Sequence, residues 1–123
     1  MIRGVLTAGR VALVTLRVRG PDGFEICVDA AIDTGFNASL TLSLEDVAAL
    51  GLAYESSTEA ILADGSVARF DVYTAEVYWG SDWHNASVSA VGDEVLLGMR
   101  LLAGHQLRID VVPGGLVEIT PLP

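Results

Sequence analysis

Val28-Asp29-Ala30-Ala31-Ile32-Asp33-Thr34-Gly35 is the stretch on which the fold of this chain turns. A run of apolar and small residues ends in Asp-Thr-Gly about a quarter of the way along the sequence. A carboxylate at the end of a buried strand needs a reason, because an unpaired buried charge is costly. One reason is local. Asp33 caps a turn by accepting backbone N–H bonds, and Gly35 takes a positive φ. The other is chemical, with Asp33 a catalytic carboxylate displayed on a rigid loop. The tripeptide alone does not separate the two, so the decision passes to the rest of the chain.

Outward from this stretch the sequence reads as short strands. Residues 24–32 deliver Asp33, with Phe24, Ile26 and Val28 on one face and Cys27 on the other. Gly20-Pro21-Asp22-Gly23 marks the turn back to a β-branched strand over 10–19, and residues 1–7 read as an edge strand. Beyond Asp33, Ala38 to Leu42 alternates as a strand. Ser43 to Gly51 reads as a short helix with Ser43 as N-cap, Gly51 as stop, and Leu44, Val47 and Leu50 on its core face. Residues 53–62 and 67–80 form a hairpin through Ala63-Asp64-Gly65-Ser66. After the turn at Gly80-Ser81-Asp82, Trp83 to Val91 is a strand. Leu96-Leu97-Gly98 runs into a helical turn at Met99-Arg100-Leu101-Leu102, and strands follow over His105 to Val112 and Leu116 to Thr120. Many short strands at hairpin spacing predict an all-β closed barrel or sandwich with one or two short helices. No internal repeat or linker divides the chain, so residues 1–123 read as a single domain.

Composition narrows the function. A net charge of −9, with all seven basic residues arginine, argues against nucleic acid, whose phosphates would be repelled. A hydrophobic fraction of 51% points to apolar surface covered by a partner chain. Cys27, the only cysteine, reads as a buried inert thiol. His84 and His105 lie far from any spaced ligand set, so neither a metal nor a cofactor is expected. Trp79 and Trp83 flank a turn and read as cross-strand packing, and Asp29 as a solvent-facing charge. The apolar run from Val11 to Leu16 is too short for a signal peptide, and no stretch approaches a membrane span. The expected location is cytoplasmic.

The order of these features resembles the retropepsin-like aspartic proteases, the single-lobe relatives of pepsin. The resemblance runs from about residue 10 to residue 120 and rests on Asp33-Thr34-Gly35, a following hairpin, and then Leu96-Leu97-Gly98 before a short helix. It implies a retropepsin-like closed β-barrel. Asp33 matches the catalytic aspartate, and Thr34 the threonine whose hydroxyl bonds to the partner subunit's backbone. Gly35 matches the glycine that lets substrate approach, and Leu96, Leu97 and Gly98 the segment packed behind the catalytic loop. Ala63, Asp64, Gly65 and Ser66 match the flap tip. One lobe supplies one aspartate in this family, so the resemblance implies a homodimer in which Asp33 meets Asp33 across a two-fold axis.

The implied chemistry is endopeptidase hydrolysis of a peptide or protein substrate. Two carboxylates a few ångströms apart share one proton, and the ionised one activates water while the other donates. The sequence departs from the family pattern at Phe36, where many members carry Ser, Thr or Ala, and a bulky side chain there is expected to narrow the cleft. Viral members also pair an acid two positions after Gly35 with an arginine after the second glycine; here those positions read Asn37 and Met99. Two rivals remain open: a non-catalytic dimerising peptide-binding module on the same fold, and an unrelated small β-barrel with Asp33 as a turn residue.

Overall fold

Alternation builds the strands. In β2 (Ala12–Arg19) Ala12, Val14, Leu16 and Val18 are buried while Thr15 and Arg17 face water. In β3 (Glu25–Ile32) Val28 and Ala30 point inward, and Glu25, Cys27 and Asp29 point out. The computed structural model describes residues 1–123. The remaining elements are β1 (Ile2–Leu6), β4 (Leu40–Leu42), α1 (Leu44–Leu50), β5 (Ala53–Ile61), β6 (Val67–Trp79), β7 (Asp82–Ala90), β8 (Leu96–Leu97), α2 (Met99–Leu102), β9 (His105–Ile109) and β10 (Leu116–Pro121).

The sheet order is β5-β6-β7-β4-β8-β3-β2-β1-β10-β9, with an extra pairing between β6 and β2 at Val18↔Val77 and Arg19↔Glu76. That pairing closes a circuit through β2, β3, β8, β4, β7 and β6, so the barrel has no free edge along it. Its interior is filled by Val14, Leu16, Val18, Leu40, Leu42, Val77, Val88 and Leu97. Two extensions leave the barrel. β1, β10 and β9 continue the sheet past β2, and β5 continues it past β6.

The hairpin of β5 and β6 is the least buried part. β6 pairs with β7 only as far as Val72↔Ser89; from Asp71 to Val67 it pairs with β5 alone. This two-stranded arm is exposed along nearly the whole of β5. Its tip bears out the expected turn. The Gly65 and Leu62 amides donate across it, and Gly65 sits at φ 85°.

Several expectations change. The strand expected over 10–19 starts at Ala12, because Thr7 to Val11 form a hydrogen-bonded turn with Arg10 at φ 63°. The strand expected to reach Val112 stops at Ile109, where Asp110 to Gly115 turn back on their own hydrogen bonds. Cys27 is exposed, not buried, because alternation aims it outward beside Arg17 on β2. α1 carries the expected caps, with the Ser43 hydroxyl accepting from the Asp46 amide and Gly51 at φ 61°. Only Val47 and Leu50 of its expected core face are buried; Leu44 is 65% exposed, at the first residue of the helix, beyond the edge of the barrel core. No helix is long and apolar enough to cross a membrane.

Candidate active site

Asp33 is placed by the strands on either side of its loop. β3 and β4 are not neighbours; β8 lies between them, parallel to β3 at Ile32↔Leu97 and antiparallel to β4 at Leu40↔Leu97. The segment 33–39 must therefore arch over the end of β8. The Asp33 amide donates to the Leu97 carbonyl at 2.9 Å, which extends the ladder by one residue and sets where the carboxylate starts. The Gly35 amide then donates to Asp33 Oδ1 at 2.9 Å, and the Phe36 amide donates to the Asp33 carbonyl at 3.1 Å. The Asp33 side chain is half-buried, and Thr34 and Gly35 are exposed.

Gly98 holds the other side of the arch. The amides of Gly98, Met99 and Arg100 donate to the carbonyls of Ser39, Phe36 and Ala38. A Cβ at Gly98 would lie 2.1 Å from the Ala38 carbonyl oxygen and 2.6 Å from the Phe36 ring. Main-chain bonds thus tie the loop to α2 at the place where Asn37 and Met99 cannot form an ion pair. The Phe36 ring lies against Gly98 and is not part of the cavity beside Asp33. Gly35 also differs from expectation. It has no positive φ, so left-handed backbone is not why a glycine stands there. Space is the better reason, since a Cβ would sit 3.2 Å from Asp33 Oδ1.

Asp33 and Thr34 stand on the wall of a cavity of about 460 Å³ that also takes in Ala31, Leu96, Arg10 and Glu94. The flap-tip residues Ala63, Asp64, Gly65 and Ser66 are not among its walls, and Leu97 and Gly98 lie behind the loop. Arg10 and Glu94 escaped the sequence reading. Arg10 reaches the cavity only because a turn precedes β2. Glu94 stands two residues before Leu96, and its carbonyl accepts from the Thr41 hydroxyl at 2.9 Å. Thr41, 2% exposed, also accepts from the Leu96 amide at 2.8 Å, so one buried hydroxyl positions the segment that forms this wall. A Thr between two leucines gave a clue, since a buried hydroxyl has to be satisfied.

The tip hairpin has its own electrostatics. Asp64 Oδ1 accepts from the Ser66 hydroxyl at 2.6 Å and the Ser66 amide at 2.9 Å. These bonds favour the carboxylate and lower its pKa below the ordinary value. No group of three or more His, Cys, Asp or Glu side chains is arranged to hold a metal ion.

With that geometry in place, a solved structure of a retropepsin-like aspartic protease from Rickettsia conorii superposes with a TM-score of 0.65 at 22% identity, covering 98% of this chain and 89% of that one. The fold is retropepsin-like. No protein-family model and no curated protein matches the chain. The shared fold sets aside a barrel of different architecture. At this level of identity the likeness concerns the fold alone.

Proposed function

We propose that this chain is an aspartic endopeptidase that works as a homodimer, with one Asp33 from each protomer forming the reacting pair. The observation that carries the proposal is the placement of Asp33. Its backbone is held by the Leu97 carbonyl, and its carboxylate stands with Thr34 at the wall of a cavity on a retropepsin-like fold. Asp33 is the only Asp-Thr-Gly aspartate in the sequence, so a second carboxylate in the same setting has to come from a second copy. Thr34 is exposed, and Val111 on the same cavity is 66% exposed, which leaves polar and apolar surface for that copy to cover.

In such a pair one proton is shared, because two close carboxylates do not both ionise cheaply. The ionised Asp33 takes a proton from water as the water attacks the peptide carbonyl. The protonated Asp33 donates to the carbonyl oxygen, and a tetrahedral diol forms. Its collapse breaks the C–N bond as the amine takes up a proton. The main-chain bonds at Gly35 and Leu97 hold the carboxylate in place, so orientation is set before substrate arrives. The β5–β6 arm is the element that closes over substrate in this reading.

The alternative, a dimerising peptide-binding module on the same fold, draws on Phe36, which removes a hydroxyl from beside Asp33. A peptide-library digest across acidic to neutral pH separates the two. Asp33→Asn is expected to lose activity by about 10²–10⁴-fold while keeping the dimer, because the acid–base pair is gone. Activity should also fall on both sides of its optimum, since one carboxyl must be ionised and one protonated. Equal cleavage by wild type and D33N would overturn the mechanism, and peptide binding without cleavage by either would favour the module.

A further inference from the structure

A second cavity, of about 380 Å³, opens between β7, α2 and β9. Its walls include Arg100, His84, His105, Trp79 and Ser39, and no carboxylate. In a chain with sixteen acids and seven arginines that composition is unusual, and both histidines of the protein stand in it. Trp79, His84 and His105 also wall an adjoining hollow of about 330 Å³.

The donors here are uncommitted. Arg17, Arg19, Arg69 and Arg108 each pair with a carboxylate, whereas Arg100 takes part in no ion pair. Trp79 is 7% exposed, and its buried indole N–H has no acceptor. Ser39, 5% exposed, stands on the same wall. Arg100 and His84 are exposed and no carboxylate shares the wall, so an anion entering the cavity meets free cationic donors. His105 Nδ1 lies 2.9 Å from the Ala103 carbonyl, which orients the ring and leaves Nε2 free. The Trp79 and His105 rings meet edge to face at 5.6 Å.

We infer that this cavity is a binding site for a small oxyanion, a carboxylate or phosphate group, held by Arg100, His84 and His105 beside the Trp79 ring. A guanidinium matches either group with two parallel bonds, and imidazolium adds charge-assisted donors. The groups facing the two histidines are Arg100 from α2, Trp79 from β6 and Met1 at the start of the chain. At the wall the Ser87 hydroxyl donates to Glu55. The site stands independently of the peptidase reading.

The test uses the full chain at constant ionic strength, with inorganic phosphate and acetate titrated separately. The readouts are the ring C–H signals of the two histidines and the indole N–H signals of Trp79 and Trp83. Saturable shifts at His84, His105 and Trp79, with Trp83 unmoved, are expected. The tighter of the two anions identifies the ligand class. Arg100→Gln should weaken binding about tenfold or more. Arg69→Gln, remote from the cavity, should bind as wild type does. The Arg100 side chain makes no hydrogen bond in the protein, so R100Q is expected to fold; His84→Gln on the exposed rim is a second variant with the same expected direction. Shifts that do not saturate with either anion, or equal binding by wild type, R100Q and H84Q, would overturn the inference.

Discussion

Gly98 and Gly35 stand on the same loop for different reasons, and substitution separates them. A methyl at Gly98 would strike the Ala38 carbonyl oxygen and the Phe36 ring, both fixed by main-chain bonds. Gly98→Ala should therefore cost about 2–3 kcal/mol, seen in urea as a lower midpoint at unchanged slope. Gly35 has neither positive φ nor a backbone clash, so Gly35→Ala should cost under about 1 kcal/mol of stability. Its methyl would crowd Asp33 Oδ1, and in the peptidase reading cleavage should fall by about 10²-fold. A stability loss at Gly35 equal to that at Gly98 would contradict this division. At this scale Asp33 was legible because a carboxylate ending an apolar run is anomalous. Glu94 was not, because the hydroxyl that fixes its segment belongs to Thr41, far away in sequence, and Arg10 was not, because an apolar run hid the turn that carries it.

The β5–β6 arm is the element with the least to hold it. A lone two-stranded hairpin is marginal in water, so its amides should exchange with solvent well before those of the barrel strands. The turn at its tip adds a pH dependence. Asp64 has a folded pKa below its ordinary value, owing first to the Ser66 hydroxyl and then to the Ser66 amide. A lowered carboxylate pKa contributes stability above the ordinary value, and that contribution is lost as the pH falls through the lowered one. Protection of the Ser66 amide, relative to the exchange rate of an unstructured amide at the same pH, should accordingly fall on acidification below the ordinary carboxylate range, and Asp64→Ala should remove that response. The group is fully exposed, so the effect belongs to the tip and not to global stability. Hairpins and caps of this kind were readable, because Asp-Gly, Gly-Ser and the Ser43/Gly51 pair act within a few residues. Strand ends at Arg10 and Ile109 were misread, since apolar residues continue into turns whose hydrogen bonds the pattern does not reveal.

For the whole molecule, the proposed dimer brings two chains of net charge −9 together. Like-charged protomers repel over a distance that salt shortens, so the dimer dissociation constant should fall as ionic strength rises. Sedimentation equilibrium in low and moderate salt measures this directly. A constant that rises with salt would instead mean that ion pairs dominate the interface. Thr34→Val should weaken the dimer while leaving the protomer's unfolding midpoint in place, because the side chain is exposed and unbonded within its own chain.

By itself the sequence determined the β class, the helix at Ser43 to Gly51, the tip turn and the anomalous aspartate, because periodicity, caps and turn residues are local properties. Closure of the barrel through β2 and β6, and the insertion of β8 between β3 and β4, depend on contacts between residues far apart in the chain. Those contacts alone decide that Asp33 faces a cavity and that Phe36 lies against Gly98. Burial is a property of the assembled layers, and no single strand carries it.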